Sequence, residues 1–369
     1  MNHKIILLGL MLSTLFCARF RVENLSETVV FSSDIKEGSL SFPSQSGVVH
    51  GIPRTVGVSG DRIAISEPDN RQIRIFRGSK QETRIITKEK EKDKNDKEAE
   101  ILSELGVKSV ASEYLKVPGN IVAGGDDDFF VLNYYPNLSA GSGEQGGFYK
   151  ILHFDLKGKF LRVIGRNGQP ELPFENVLWM DLDTEKRLWV LYRYLDELFL
   201  DSYVDGKLYR GIKETECREQ VFAGRVFDKT LIARCEFMYP FPKGDKILLI
   251  GRVDKNADDL SKSAGRVFQY RTFAARGFEG ESKIIFANLN DPEDYPYLPR
   301  KENEIFIWQT LDYDRVKFAI YNLDGDLINN LQITRKGRFE HWRSTWYSMQ
   351  SESFYSLRVG PDKFEVLRW

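Results

Sequence analysis

Histidine and cysteine are nearly missing from this chain of 369 residues, which holds four of the first and three of the second. His3, His50, His153 and His341 are separated by long intervals, so none has a second histidine at metal-ligand spacing. Neither an H-E-x-x-H zinc motif nor a G-x-S-x-G nucleophile elbow occurs. An excess of either charge is missing as well: 53 Lys and Arg stand against 54 Asp and Glu. Such a balance has no long-range attraction for nucleic acid. Beyond residue 17, no apolar run approaches the roughly 20 residues that cross a bilayer as a helix. These gaps leave no cofactor or metal implied by the sequence.

What is present begins at the first residues. His3-Lys4 is a short basic start, and Ile5 to Leu15 (IILLGLMLSTL) is apolar except at Gly9, Ser13 and Thr14. This is the build of an export signal. With Cys17 behind it, the tract resembles a bacterial lipoprotein signal of the looser spirochaetal kind. The resemblance implies that residues 1–17 end in an acylated Cys17, which anchors residues 18–369 to the bacterial cell envelope, facing the periplasm or the outside. A secretory peptide cut elsewhere is the alternative. Lipid at Cys17 would then be the whole membrane attachment, at about 0.8 kcal/mol for each buried methylene.

Cys217 and Cys235 are the remaining cysteines. In an exported chain an isolated even pair predicts a disulfide, with two buried thiols as the alternative. Aromatics are plentiful, with 25 Phe, 16 Tyr and 6 Trp beside 29 Gly. That mixture suits short strands joined by tight turns.

The strand grammar repeats. Arg62 to Ser66 and Gln72 to Phe76 alternate on either side of a Pro-Asp-Asn turn. Phe129 to Tyr134 and Tyr149 to Phe154 are followed by the turn Asp155-Leu156-Lys157-Gly158 and by Phe160 to Ile164. Arg187 to Arg193, Glu197 to Tyr203 and Lys207 to Arg210 repeat the order, as do Glu304 to Gln309, Val316 to Tyr321 and Leu327 to Leu331. Units of this kind span about 52–87, 117–168, 172–212, 236–287 and 298–334, the spacing of propeller blades with insertions. A single such sheet cannot bury both of its faces, whereas several arranged radially can.

The segments KILHFDLKGKFLRVIG (150–165) and KFAIYNLDGDLINNL (317–331) resemble the broad six-bladed β-propeller group that includes NHL-type repeats. The expected fold is therefore all-β, a six-bladed β-propeller. Its last blade would draw on Thr345 to Met349, Phe354 to Val359 and Phe364 to Trp369, and pairing with Glu27 to Ser32 would close the ring between the N- and C-terminal strands. A pair of smaller β domains is the architectural alternative. The tract TKEKEKDKNDKEAE (87–100) has no apolar face and is expected to be a solvated, flexible insertion. Ile101 to Leu115 is expected to form a short helix, with Leu102, Leu105 and Val110 against the body.

Several signals could carry chemistry. Gly141 to Gly146 spells G-x-G-x-x-G, but an aromatic strand follows where a dinucleotide site needs a helix. Asp126-Asp127-Asp128 and the trio Asp181, Asp183 and Glu185 offer calcium-like oxygens. Adjacent side chains of an extended segment diverge, so the first group is expected to be a turn of solvated acids, and the second, which surrounds a turn between Trp179 and Trp189, is read the same way. His153 is expected to hold a structural hydrogen bond. Aromatics beside turns, Tyr135, Tyr239, Tyr297 and Trp342, are the candidate ligand contacts, because rigid rings anchor partners at low entropic cost. No catalytic residue is assigned. The expected function is a non-enzymatic envelope lipoprotein, a scaffold whose partner is an envelope protein or a glycan. A hydrolase with its site in the propeller channel and a passive structural subunit are the alternatives.

Overall fold

The computed structural model describes residues 22–26, 28–34, 56–68, 70–92, 100, 102–124, 127–136, 147–221, 231–255, 263–274, 277–278, 283–287, 295–301, 303–312, 315–334, 342–359 and 363–369. Its regular structure is almost wholly β. Strands β1 (Val22–Asn24) and β2 (Thr28–Asp34) come first. An antiparallel meander follows: β3 (Gly57–Ser59), β4 (Arg62–Glu67), β5 (Gln72–Arg77) and β6 (Lys80–Thr87). A short helix, Lys88–Lys92, leaves this sheet, and β7 (Lys108–Ser112) returns to pair with β6 in parallel. The next meander is β8 (Val117–Ala123), β9 (Asp128–Pro136), β10 (Gly147–Asp155) and β11 (Phe160–Ile164). After it comes β12 (Asn176–Leu182), β13 (Leu188–Tyr194), β14 (Glu197–Val204) and β15 (Lys207–Lys213).

Helix Glu214–Val221 then leads towards β16 (Leu231–Pro240), β17 (Lys246–Lys255) and β18 (Ser263–Ala274), with β19 (Gly277–Phe278) and β20 (Lys283–Ala287) both pairing β18. Strands β21 (Tyr295–Arg300), β22 (Glu304–Asp312), β23 (Arg315–Asn322) and β24 (Leu327–Thr334) form a further meander, and β1 adds to β24 in parallel. The last strands are β25 (Trp342–Ser348), β26 (Ser353–Val359) and β27 (Lys363–Arg368). Strand β2 pairs antiparallel with β27, from Thr28 opposite Arg368 to Asp34 opposite Lys363.

Three of the hairpins share one local device. Asp155 Oδ1 accepts the amides of Lys157 and Lys159 at 2.9 and 2.7 Å. Asp183 Oδ1 does the same for Glu185 and Arg187, and Asn322 Oδ1 for Asp324 and Asp326. A short polar side chain thus supplies the acceptors that turn amides lack, which is why Asp and Asn open these loops. Gly158 and Gly325 sit at φ 83° and 86°, where a Cβ would be strained.

The chain divides into two compact units. The larger comprises residues 28–216 and 339–368 and the smaller residues 1–27, 217–338 and 369. In the larger unit, successive sheets meet face to face through apolar clusters. Phe31, Ile65, Trp346, Leu357 and Val366 join the β2/β25–β27 sheet to the β3–β7 sheet. Ile75, Ile85, Phe129, Val131 and Phe154 join β3–β7 to β8–β11. Phe130, Ile151, Met180, Val190 and Tyr192 join β8–β11 to β12–β15. At roughly 1.5–3 kcal/mol for each fully buried large apolar side chain, these shared layers are the main stabilising contribution. In the smaller unit, the apolar run Ile247–Ile250 on β17 is buried, as are Phe306 and Phe318, whose rings meet edge to face at 5.9 Å. Within that unit a disulfide joins Cys217, on helix Glu214–Val221, to Cys235 on β16, with their Cα atoms 6.0 Å apart.

Two expectations are corrected. The first is the six-bladed ring. Five sheets are propeller-type blades of four sequential antiparallel strands, while the sheet of β2 with β25–β27 is composite, and the sheets are shared between two units. A blade is a local object that the strand pattern specifies. How blades group depends on packing between residues far apart in the chain. The second correction concerns Ile101–Leu115. Its helical part stops at Glu104, and residues 108–112 become β7. Pairing to the open ladder of β6 outweighs the weak helical pattern, and Leu105 is exposed while Val110 packs beside Gly158.

Candidate functional site

The edge strand β7 and the β10–β11 turn enclose an open cavity of about 400 Å³, within the size range of small-molecule sites. Lys88, the segment Val110–Tyr114 and the segment Gly158–Phe160 line it. The cavity is held from both sides. Gly158 approaches so closely that a Cβ there would lie 3.0–3.2 Å from Thr83, Val110 and Ile85. Lys108 Nζ donates to the Lys157 carbonyl at 3.0 Å, tying the start of β7 to the turn.

One wall is aromatic. The rings of Tyr114 and Phe160 are stacked, with centroids 3.9 Å apart and planes 13° from parallel, and Tyr114 remains 39% exposed. The aromatic surface continues along β9 and β10. Tyr135 Oη donates to the Tyr114 carbonyl at 2.6 Å, and Asn133 Nδ2 donates to the same oxygen at 3.3 Å. Tyr135 in turn stacks on Phe148 at 5.2 Å, with the Lys150 ammonium about 6 Å from both rings. Cross-strand pairing of Tyr135 with Phe148 sets this contact. Partial burial pushes the Tyr135 phenol above its ordinary pKa, opposed by its Asn133 hydrogen bond, so the hydroxyl stays a donor at neutral pH.

Polar groups around the cavity are of three kinds. Lys88 and Glu113 form an exposed ion pair at 3.9 Å. The Lys159 ammonium has no ion-pair partner among the described residues. Ser112 is buried, and its Oγ has no hydrogen-bond partner in the described structure. A buried hydroxyl left so is unusual and marks a place where a further partner would be favourable.

Of the acids singled out in the sequence, Asp127 and Glu185 are exposed as expected, whereas Asp181 and Asp183 are buried. Asp183 is fully buried and accepts from Arg187 Nε and Trp189 Nε1, both at 2.7 Å. Asp181 is buried too and accepts from the amides of Leu182 and Met349 at 2.8 and 3.0 Å. Burial pushes its pKa to about 7, against the two amide hydrogen bonds, with the Asp183 charge adding to the rise. Asp201 accepts from Tyr192 and Tyr203, each at 2.9 Å, and burial raises its pKa as well. Asp127 pairs with Arg62 at 2.5 Å and Asp128 with His153 Nε2 at 2.6 Å, while Asp126 lies outside the described residues. Among the described residues no group of three His, Cys, Asp or Glu side chains is placed to hold a metal ion.

Of the candidate ligand contacts, Tyr135 belongs to the aromatic surface beside the cavity. Tyr239, in the smaller unit, is buried, and that burial raises its pKa. Tyr297 lies on β21 of the smaller unit and Trp342 on β25 of the larger. Cys17 and Gly141–Gly146 lie outside the described residues, and β10 opens directly at Gly147. No described helix is long and apolar enough to cross a membrane. Tyr114 and Phe160 were not singled out in the sequence. Their signal was faint: each is an aromatic at the end of a loop, and they are 46 positions apart, brought together only by the packing of two sheets.

No protein-family model matches the chain, and no curated protein does. With five blade-type sheets rather than six, the resemblance to NHL-type six-bladed propellers is not retained. Among solved structures, a protein from Lactobacillus plantarum is similar over 86% of this chain and 84% of its own, at 11% identity and a TM-score of 0.38. The β-propeller domain of Cps50 (Swd1) from Myceliophteria thermophila matches over 85% and 82%, at 6% identity and a TM-score of 0.39. The C-terminal WD40 domain of Sif2 matches over 95% and 99%, at 7% identity and a TM-score of 0.37. At these scores the likenesses carry no weight for fold or function.

Proposed function

We propose that this chain is a non-catalytic binding scaffold of the bacterial cell envelope, anchored by lipid on Cys17. The observation that supports it best is the half-exposed aromatic surface of Phe160, Tyr114, Tyr135 and Phe148 beside an open cavity. Rings held by stacking and by paired strands, as Tyr114 is on Phe160 and Tyr135 on Phe148, lose little freedom when a partner covers them. The buried carboxylates Asp183 and Asp201, by contrast, are occupied by donors from the chain itself, which suits a structural role better than acid–base work. The Cys217–Cys235 disulfide fits an exported chain, since such bonds persist in oxidising compartments.

Labelling cells with a fatty-acid analogue tests the anchor: the wild type should take up the label and Cys17→Ala should lose it. Label that persists in Cys17→Ala, or a mature chain with unmodified Cys17, would overturn the lipid anchor. Turnover of esters, lactones or glycosides by the purified chain, lost on substituting Asp181 or Asp183, would overturn the non-catalytic reading.

A further inference from the structure

We propose that the cavity beside β7 binds an acidic sugar unit of an envelope polysaccharide, a hexuronate ring or one of the same chemistry. The inference rests on the scaffold reading above and narrows it from protein or glycan to one ligand class. Two features of the lining select that chemistry. The stacked Tyr114–Phe160 pair offers an apolar platform of the kind on which the C–H face of a pyranose packs. Two ammonium groups, Lys88 and Lys159, stand against the single carboxylate of Glu113. The Lys88–Glu113 pair is long and exposed, so it competes weakly with an incoming carboxylate, and Lys159 has no acid to give up.

The same geometry disfavours an extended peptide. Strand β7 is a sheet edge, which would normally invite strand addition. Its first half is already covered, however. Lys108 reaches across to the Lys157 carbonyl, and Val110 packs on Gly158. Only Ala111–Tyr114 remains open along the cavity, too short a ladder for a paired strand and wide enough for a compact ring. A neutral sugar would use the aromatic platform and leave Lys159 idle. A carboxylate engages both.

The test is titration of the purified full-length protein with an oligogalacturonate and with a neutral galactose oligomer of equal length, followed by calorimetry. The acidic oligomer should bind roughly tenfold tighter, the scale of one charge-assisted hydrogen bond. That margin should shrink at high salt. Lys159→Gln should shrink the margin of the acidic oligomer over the neutral one severalfold. Tyr114→Ala should abolish binding of both. Because Tyr114 also packs on Phe160, Phe160→Leu serves as a second variant, with the melting curve of each recorded. Equal affinities for the two oligomers, or an unaltered margin in Lys159→Gln, would overturn the acidic-sugar inference while leaving a glycan-binding scaffold standing. Binding of neither oligomer would also overturn it. Competition by polyglutamate as effective as that by oligogalacturonate would reassign the cavity to acidic peptide. None of these results touches the anchor or the non-catalytic reading, which the labelling and turnover experiments decide separately.

Discussion

The sheets β8–β11 and β12–β15 share one plan, four antiparallel strands in sequence, and use their polar and aromatic residues in opposite ways. In β12–β15 the informative side chains face inward. Asp183 and Asp201 are buried, and tryptophan, arginine and tyrosine donors of the same sheet surround them. In β8–β11 and the segment before it, Tyr114, Tyr135 and Phe148 form a half-exposed surface, next to a lysine without an acidic partner. The difference separates two reasons for an eye-catching residue. Where the partner set is closed, the group specifies the fold, because an unpaired buried charge is costly. Where the partner set is open and the surrounding sheet is rigid, the group is available for a ligand.

Asp183→Ala tests the closed side hardest. It removes the acceptor shared by Trp189 Nε1–H, Arg187 Nε and two turn amides, and should destabilise the protein by about 3–5 kcal/mol. Urea unfolding followed by tryptophan fluorescence reads this. A loss below about 1 kcal/mol would mean that the network is not holding the sheet.

Asp181 gives an effect that depends on pH. Its folded pKa is raised from 3.8 to about 7, chiefly by burial. Between those values the folded state keeps a proton that the unfolded state has released. The contribution of this group to stability is therefore full at pH values below 3.8, falls as pH rises through the window and levels off above about pH 7. In Asp181→Asn the fall should disappear, whatever the absolute stability of the variant. Urea midpoints measured across that range check it, and an unchanged slope would place the pH dependence elsewhere.

The open side should be the most tolerant. Tyr135→Phe removes the hydrogen bond to the Tyr114 carbonyl, which also accepts from Asn133, and the contact of the phenol with the Asn133 side chain. Thermal unfolding should show a loss of about 1 kcal/mol or less. A loss as large as that of Asp183→Ala would erase the contrast between the sheets and make the aromatic surface structural.

Much of this was legible in the residues. The alternation in Arg62–Ser66, Tyr149–Phe154 and Val316–Tyr321 marks strands β4, β10 and β23, and the turn residues Asp155 and Asn322 cap the hairpins that follow β10 and β23. Tyr135 was legible as an aromatic beside a turn, and His153 as a hydrogen-bonded side chain. The burial of Asp181 and Asp183 was not, because a carboxylate in a turn looks the same in sequence whether it faces water or a tryptophan N–H. Nor was β7: KSVAS carries too few residues to declare a strand, and only the open ladder of β6 makes it one.

The sequence by itself determined the β class, the places of most strands and the turn chemistry, because period-two alternation and Asx loops act over a few neighbouring residues. The tertiary structure alone decided the rest. It grouped the sheets into two units, stacked Tyr114 on Phe160, left Ser112 without a partner and closed the donors around Asp183. Each of these depends on which faces meet across tens of residues, and packing between sheets sets that pairing, which no local pattern encodes.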